Sequence, residues 1–205
     1  PQNEPLNRKN EPSMVMEAGE QAEFVKQHLG PALAQAGLRE VEVCCWDHNC
    51  DVPEYALAVL ADPEARRYLS GSAWHLYAGE ISALSAVHAA HPDMKLYFTE
   101  QWVGSDGQFG PDLLWHARNV LIGALCNWSA AVFEWNLASD PACGPHTPGG
   151  EARCVGALTI GYEISRNVAY YVIAHAAKFV RPGSVRIFSQ ADAPLHSAAF
   201  LTPGG

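Results

Sequence analysis

The sequence predicts an α/β fold in which successive βα units build a parallel sheet that runs, near its end, into a β-rich segment. Three observations carry this expectation. Short β-prone runs alternate with helical segments, the pattern of βα units. The polar residues that close those runs, Glu4, Asp47, Tyr77, Glu100 and Trp135, lie 43, 30, 23 and 35 residues apart, about 33 on average. After Pro182-Gly183 two further β-prone runs follow each other with no helix between them. A (β/α)8 barrel uses about 250 residues for eight units, about 31 each. An open doubly wound sheet has the same kind of period, so spacing alone leaves both architectures open.

The first helix is expected from Glu17 to Ala36, where Val25, Leu29 and Leu33 recur every four residues, Gly30-Pro31 bends the axis and Gly37 stops it. Val41 to Trp46 reads as a buried strand, followed by a loop through Asp47-His48-Asn49 and a helix entered at Pro53. Ala73 to Tyr77 is the next strand, and Ile81 to Ala89 a helix with Leu84 and Val87 inward. Lys95 to Glu100 is a strand, followed by a long helix from about Asp112 to Trp128. Ala130 to Trp135 is a further strand and Asn167 to Val180 the last helix, with a Gly/Pro-rich loop at 140–150 between them. Ser184 to Ser189 and Ser197 to Leu201 read as strands, so 1–182 is expected to be the βα domain and 183–205 the beginning of a β-rich side domain.

Composition removes several classes of function. The 205 residues carry 13 basic and 22 acidic side chains, a formal net charge of −9, and no run of cations exceeds a pair. Nucleic-acid binding and basic-patch attachment to membranes both need a cationic footprint that is missing. With 48% hydrophobic and 17% charged residues, the chain has the makings of a substantial core, and no apolar run approaches the 18 or so residues of a membrane span. It opens without Met and closes on a turn-like Thr202-Pro203-Gly204-Gly205, so it is expected to be a segment of a longer polypeptide. If the architecture is a barrel, roughly three βα units, on the order of 90 residues, precede Pro1.

In a parallel barrel the chemistry sits at the C-terminal ends of the strands, where Glu4 and Glu100 both fall in this reading. Two carboxylates facing each other across a barrel mouth suit retaining glycoside hydrolysis, in which their expected separation is about 5 to 5.5 Å. One is an ionised nucleophile. The other is kept protonated by burial and by the neighbouring negative charge, so that it can protonate the leaving oxygen and later deprotonate water.

Motifs give these positions a context. Gln2-Asn3-Glu4-Pro5 resembles the Asn-Glu-Pro motif at the end of the fourth barrel strand of clan A glycoside hydrolases. The stretch Tyr97-Phe98-Thr99-Glu100-Gln101-Trp102-Val103-Gly104 is similar to the seventh-strand nucleophile motif of glycoside hydrolase family 30, the glucosylceramidase family. Trp74-His75-Leu76-Tyr77 resembles its sixth-strand segment, and Phe133-Glu134-Trp135-Asn136-Leu137-Ala138 its eighth. The four motifs occur in the family's order, and the resemblance runs from Pro1 to about Ser189. It implies a partial (β/α)8 barrel, strands four to eight, leading into a β-sandwich side domain.

Carried over residue by residue, the resemblance implies Glu100 as nucleophile and Glu4 as acid/base, with Asn3 hydrogen-bonding the sugar 2-OH. Tyr77 would orient Glu100, Trp135 would offer a flat face to the pyranose ring, and His75 and Asn49 would line the pocket. Trp102 departs from the smaller residue usual in the family and would shape the leaving-group side. The implied activity is hydrolysis of β-glucosidic bonds in glucosylceramide or β-glucan, with β-1,6-glucan, β-xyloside and β-fucoside as alternatives and a non-catalytic carbohydrate-binding barrel as the rival from another class. The implied partners are a carbohydrate or glycolipid substrate and the remainder of the same polypeptide, in a secreted, periplasmic or lysosomal setting.

No cofactor is expected. Asp47-His48-Asn49 with His75 could be drawn as metal ligands, but no His-Glu-x-x-His or paired Cys-x-x-Cys spacing supports a catalytic metal. Among the six cysteines, Cys143 and Cys154 bracket the polar loop and are the expected disulfide, while Cys44 and Cys45, neighbours in a strand, point to opposite faces.

Overall fold

The structure, a computed structural model, describes residues 1–9, 14–189 and 195–204. In chain order the elements are α1 (Ala18–Phe24), a π-helical stretch (Val25–Leu29), α2 (Gly30–Gln35), β1 (Cys44–Cys50), α3 (Pro53–Ala61), α4 (Pro63–Arg66), β2 (Gly71–Gly79), α5 (Ala83–Ala90), β3 (Lys95–Glu100) and β4 (Val103–Gly104). There follow α6 (Phe109–Trp115), a second π-helical stretch (His116–Ile122), α7 (Gly123–Cys126), β5 (Ser129–Val132), β6 (Ala138–Ser139), β7 (Cys154–Val155), β8 (Leu158–Ile160), β9 (Ile164–Arg166), α8 (Val168–Ala177), β10 (Val185–Ile187) and β11 (Ala199–Leu201). The chain divides into two compact units, Pro1–Thr99 with Asn127–Ala131, and Glu100–Cys126 with Val132–Gly205.

The first unit is organised by a four-stranded sheet in the order β1-β2-β3-β5, with β1 and β2 parallel. Parallel neighbours require helical crossovers, and α3, α4 and α5 supply them between β1, β2 and β3. Proline at the first turn of α3 starts the helix without wasting an amide donor, and Tyr55, Ala56, Val59 and Leu60 form its buried face. Val25, Leu84 and Val87 from the other helices and Leu96 and Phe98 from β3 are also buried, the last two at the spacing that puts them on one face. Each such aliphatic or aromatic side chain contributes about 1.5–3 kcal/mol. Two glycines let the strands close. A Cβ on Gly71 would sit 1.9 Å from the Lys95 carbonyl oxygen, and Gly79, at φ +80°, lies against the backbone of Cys50 and Asp51.

Most expected elements are present, with instructive shifts. Strand β3 has the expected bounds, whereas β1 starts three residues later than Val41 and runs through Asp47-His48-Asn49, which composition marks as loop. The helix expected from Glu17 to Ala36 is there and is not split at Gly30-Pro31: it runs on through α2, with a π-helical turn just before Gly30. Among the described residues the Glu4 segment holds no strand of its own; it is joined to β1 by a backbone bond from the Glu4 N–H to the Asp47 carbonyl at 2.9 Å.

The second unit packs Val103, Leu121, Val168, Ala169 and Val172 into a core covered by Leu113, Leu125, Val155 and Ala176. Its sheets are small: β4 pairs antiparallel with β7, β8 lies between β6 and β9, and β10 pairs antiparallel with β11. The strand expected over Ala130 to Trp135 ends at Val132, and Trp135 makes an isolated parallel bridge to Trp102. Of the expected side-domain segment 183–205, residues 190–194 and 205 lie outside the described residues. The Cys143–Cys154 disulfide does not form: all six cysteines are free thiols. Cys143 sits in a turn whose backbone amides at Ala142 and Gly144 donate to the Asp140 carboxylate, and Cys154 lies in β7, where burial holds its thiol in the protonated form that does not attack a second sulfur. Cys45 is fully buried and its neighbour Cys44 half-buried, as strand alternation requires.

Candidate active site

The site in the first unit begins with a bulge. Trp46 pairs with Ala73 and His48 with Trp74, so Asp47 is the extra residue in β1. Trp46 and Asp47 adopt φ +70° and +66°, left-handed values that non-glycine residues rarely take. The fully buried Trp46 ring anchors this turn by donating its Nε1–H to the Asn49 carbonyl (3.0 Å), and the Trp46 backbone N–H, displaced from the ladder, donates to the Gln21 side chain of α1 (2.9 Å). The bulge aims Asp47 at its neighbours on the next two strands. Asp47 Oδ1 accepts from the Thr99 hydroxyl at 2.7 Å and lies 3.2 Å from His75 Nε2.

His75 is completely buried, and its other ring nitrogen, Nδ1, lies 3.2 Å from Glu4 Oε1. A neutral imidazole can donate to only one of these carboxylates, whereas an imidazolium donates to both. Glu4 is 6% exposed and holds φ +50°. Its second oxygen accepts from Asn7 Nδ2 at 2.6 Å, and His48 Nδ1 is 3.9 Å from its first. Burial pushes the Glu4 carboxyl up, but the hydrogen bonds from His75 and Asn7 and the charges of His48 and His75 outweigh it and hold the pKa down at about 2. This reverses the sequence-based expectation of an elevated value. Asp47 behaves alike: burial raises it, and the bonds from His75 and Thr99 bring it below the usual range. Burial lowers His48 against the opposing pull of Glu4.

Among the other expected residues of this unit, Asn49 accepts the Tyr77 backbone N–H on its side-chain oxygen at 2.9 Å. Tyr77 stands edge-on to His75 at 6.0 Å between ring centroids. Asn3 is exposed. Asp47, Thr99 and Asn7 were not among the residues singled out for the site, although the position of Asp47 in the spacing of strand-end polar residues is a signal for it. A cleft of about 580 Å³ in this unit lies elsewhere: it is lined by Leu33, Leu38, Arg39, Arg67 and Tyr68, with no acidic group among its lining residues.

In the second unit Glu100 closes β3 and is half-buried. Gln101 is buried, and its backbone carbonyl accepts the Trp135 N–H at 2.8 Å, which holds the segments of Trp102 and Trp135 side by side. Trp135 leaves 48% of its surface exposed, and Trp102 lies under the Arg153 guanidinium, 5.5 Å from the ring centroid. Arg153 is itself held by Glu151 at 2.8 Å. Glu134, next to Trp135 in the chain, forms a buried pair with His116 at 2.9 Å. Burial and then the charges of Glu151 and Glu100 push the Cys154 thiol up to about 12, which keeps it in the thiol form at neutral pH.

Strands joined by helical crossovers, with β1 and β2 parallel neighbours, are the pattern of part of a (β/α)8 barrel. Residues 1–180 match the model of the glycosyl hydrolase family 30 TIM-barrel domain, and the chain belongs to that family. Endo-1,6-beta-D-glucanase neg1 of Aspergillus fumigatus is 37% identical over the whole chain, and the lysosomal acid glucosylceramidase of Mus musculus is 28% identical over 90% of it. The solved structure of the endo-beta1,6-glucanase BT3312 superposes on all of the chain with a TM-score of 0.93 and 37% identity, the chain covering 49% of it. The chain spans about two fifths of the length of the curated relatives, 42% of the Aspergillus protein and 38% of the mouse one.

Proposed function

We propose that this chain carries both catalytic carboxylates of a retaining β-glycosidase that cleaves β-glucosidic bonds, with β-1,6-linked glucan as its substrate. The observation that carries the reading is the buried Glu4, gripped by His75 and Asn7 on a family 30 barrel whose strand β3 closes on a second carboxylate, Glu100. The fungal 1,6-glucanase at 37% identity favours glucan over the glucosylceramide of the mouse relative at 28%.

On this reading Glu100 attacks the anomeric carbon as the glycosidic C–O bond breaks, and Glu4 delivers a proton to the departing oxygen. Glu4 then takes a proton from the water that releases the sugar from Glu100. A carboxyl held at about 2 is a poor proton carrier, so Glu4 needs a source. His75 Nδ1, at 3.2 Å, is the group positioned to exchange a proton with it. Passing that proton to Glu4 leaves a neutral acid beside a neutral imidazole, which keeps its Nε2–H on Asp47. Trp135 stacks on the sugar, Asn3 binds its 2-OH, Tyr77 orients Glu100, and Asn49 and Trp102 border the pocket. The segment from 183 onward begins a β-rich side domain, residues beyond this chain complete the barrel, and the enzyme acts outside the cell or in a lysosome-like compartment.

The test uses the full-length protein. Glu100→Gln is expected to abolish β-1,6-glucan hydrolysis without changing the circular dichroism spectrum. Glu4→Gln should cost about 10²–10⁴-fold on glucan and far less on aryl glucosides with activated leaving groups, which need no acid. NMR of the first product should show retained anomeric configuration; inversion, or full activity of Glu100→Gln, overturns the assignment.

A further inference from the structure

We propose that Glu4, His48 and His75 form a binding site for a borderline divalent transition metal such as Zn²⁺, and that occupancy silences the enzyme by taking the Glu4 carboxylate out of proton transfer. The inhibitory half rests on the reading of Glu4 as the acid/base; the binding half does not.

The donor set carries the binding half. Glu4, His48 and His75 each offer one ligand atom, and the three atoms lie within 4.8 Å of one another. Two imidazoles and a carboxylate form the three-ligand set that leaves a fourth tetrahedral position open. Bonds of about 2.0–2.2 Å to a tetrahedral ion put ligand atoms roughly 3.3 Å apart. Glu4 Oε1 and His75 Nδ1 are already 3.2 Å apart, His48 Nδ1 is 3.9 Å from the same oxygen, and the His48–His75 pair, within 4.8 Å, closes by a turn of the His48 ring.

Two further features are those of a metal site. His75 presents its Nε2 to Asp47 Oδ1 at 3.2 Å, and Asp47 is in turn held by Thr99 at 2.7 Å. A ligating histidine ordinarily has such a carboxylate behind it, which fixes the ring and strengthens it as a donor. The His48 Nδ1 atom, in turn, is buried with no hydrogen-bond partner, 3.9 Å from the carboxylate. A buried polar atom left unpaired has a cost that a ligand would remove. The three residues come from the Glu4 segment, β1 and β2, so no ligand spacing in the sequence announces them. His48 reaches the site because the Asp47 bulge shifts the register of β1.

Zn²⁺ titrated calorimetrically into the full-length protein should bind as one ion per chain, and Co²⁺ in its place should give the visible absorption of a tetrahedral N/O site. His48→Ala is expected to weaken Zn²⁺ by at least about tenfold, with His48→Gln, closer in size, as a second variant should the first misfold. Asp47→Asn, which loosens the support of His75, should cost about 10- to 100-fold. Glucan hydrolysis should fall with the same midpoint as the binding curve and recover on chelation. Absence of saturable Zn²⁺ binding, or binding unchanged in folded His48→Ala or His48→Gln, overturns the site and leaves the glycosidase reading intact. A Glu4→Gln protein that loses Zn²⁺ yet keeps full glucan hydrolysis supports the site and overturns the acid/base reading.

Discussion

At the scale of residues, Glu4 is the group whose surroundings do most to set its behaviour. Burial alone would keep its carboxyl protonated, and two donors, His75 Nδ1 and Asn7 Nδ2, reverse that. The consequence for stability has a definite sign. A carboxyl whose folded pKa lies near 2 stabilises the folded state above its ordinary value of 4.5, and that contribution drains away as pH falls from 4.5 toward 2. Asn7→Ala removes the 2.6 Å donor, so it should destabilise the protein by about 1.5–3 kcal/mol at neutral pH, the range for a bond to a charged group. The gap from wild type should shrink once Glu4 is protonated, as urea unfolding of both proteins at neutral and acid pH would measure; a gap independent of pH would remove Asn7 from the electrostatics. Glu4 was legible as a candidate because a short motif marks it. Asn7 was not, since an asparagine three residues along carries no signal until the segment folds back on itself.

At the scale of elements, local chemistry announced most pieces and backbone irregularities hid the rest. Lys95–Glu100 was readable to the residue because Leu96 and Phe98 alternate inward between polar neighbours. The course of β1 was not, because Trp46 and Asp47 take left-handed conformations that glycine or asparagine usually marks, and their stability comes from Gln21 and the buried indole. The π-helical turns were equally silent, since no residue type encodes them. Close strand approach gives a paired prediction. Gly71→Ala drives a methyl to 1.9 Å from the Lys95 carbonyl and should destabilise by about 1–3 kcal/mol through forced backbone shifts. Gly19→Ala, in α1 with nothing within 4 Å of the added methyl, should instead stabilise by about 0.4–1 kcal/mol. Calorimetric melting of the two variants should move Tm in opposite directions, and equal shifts would refute the packing argument for Gly71.

At the scale of the whole molecule, what sequence could supply was periodicity and charge. The spacing of about 33 residues between strand-end polar groups is close to the repeat of a barrel, but an open sheet shares it. It took the ordered motifs to separate the two, and no periodic signal reports side chains that meet from different strands, as Asp47, His75 and Thr99 do. The formal charge of −9 on these 205 residues bears on the proposed substrate. A surface so acidic would repel polyanions and would draw in a cationic substrate by long-range attraction, and both effects collapse with salt. A neutral glucan feels neither. Raising the salt from about 0.01 M to about 1 M shortens the reach of surface charge from about 30 Å to about 3 Å. The KM of the full-length enzyme for β-1,6-glucan should therefore be flat across that range, while the depressed pKa of the buried Glu4, set by contacts of 3.2 Å and 2.6 Å rather than by the surface field, should stay in place. A KM that rises steeply with salt would show that charge steers the substrate, and the neutral-sugar assignment would have to be abandoned.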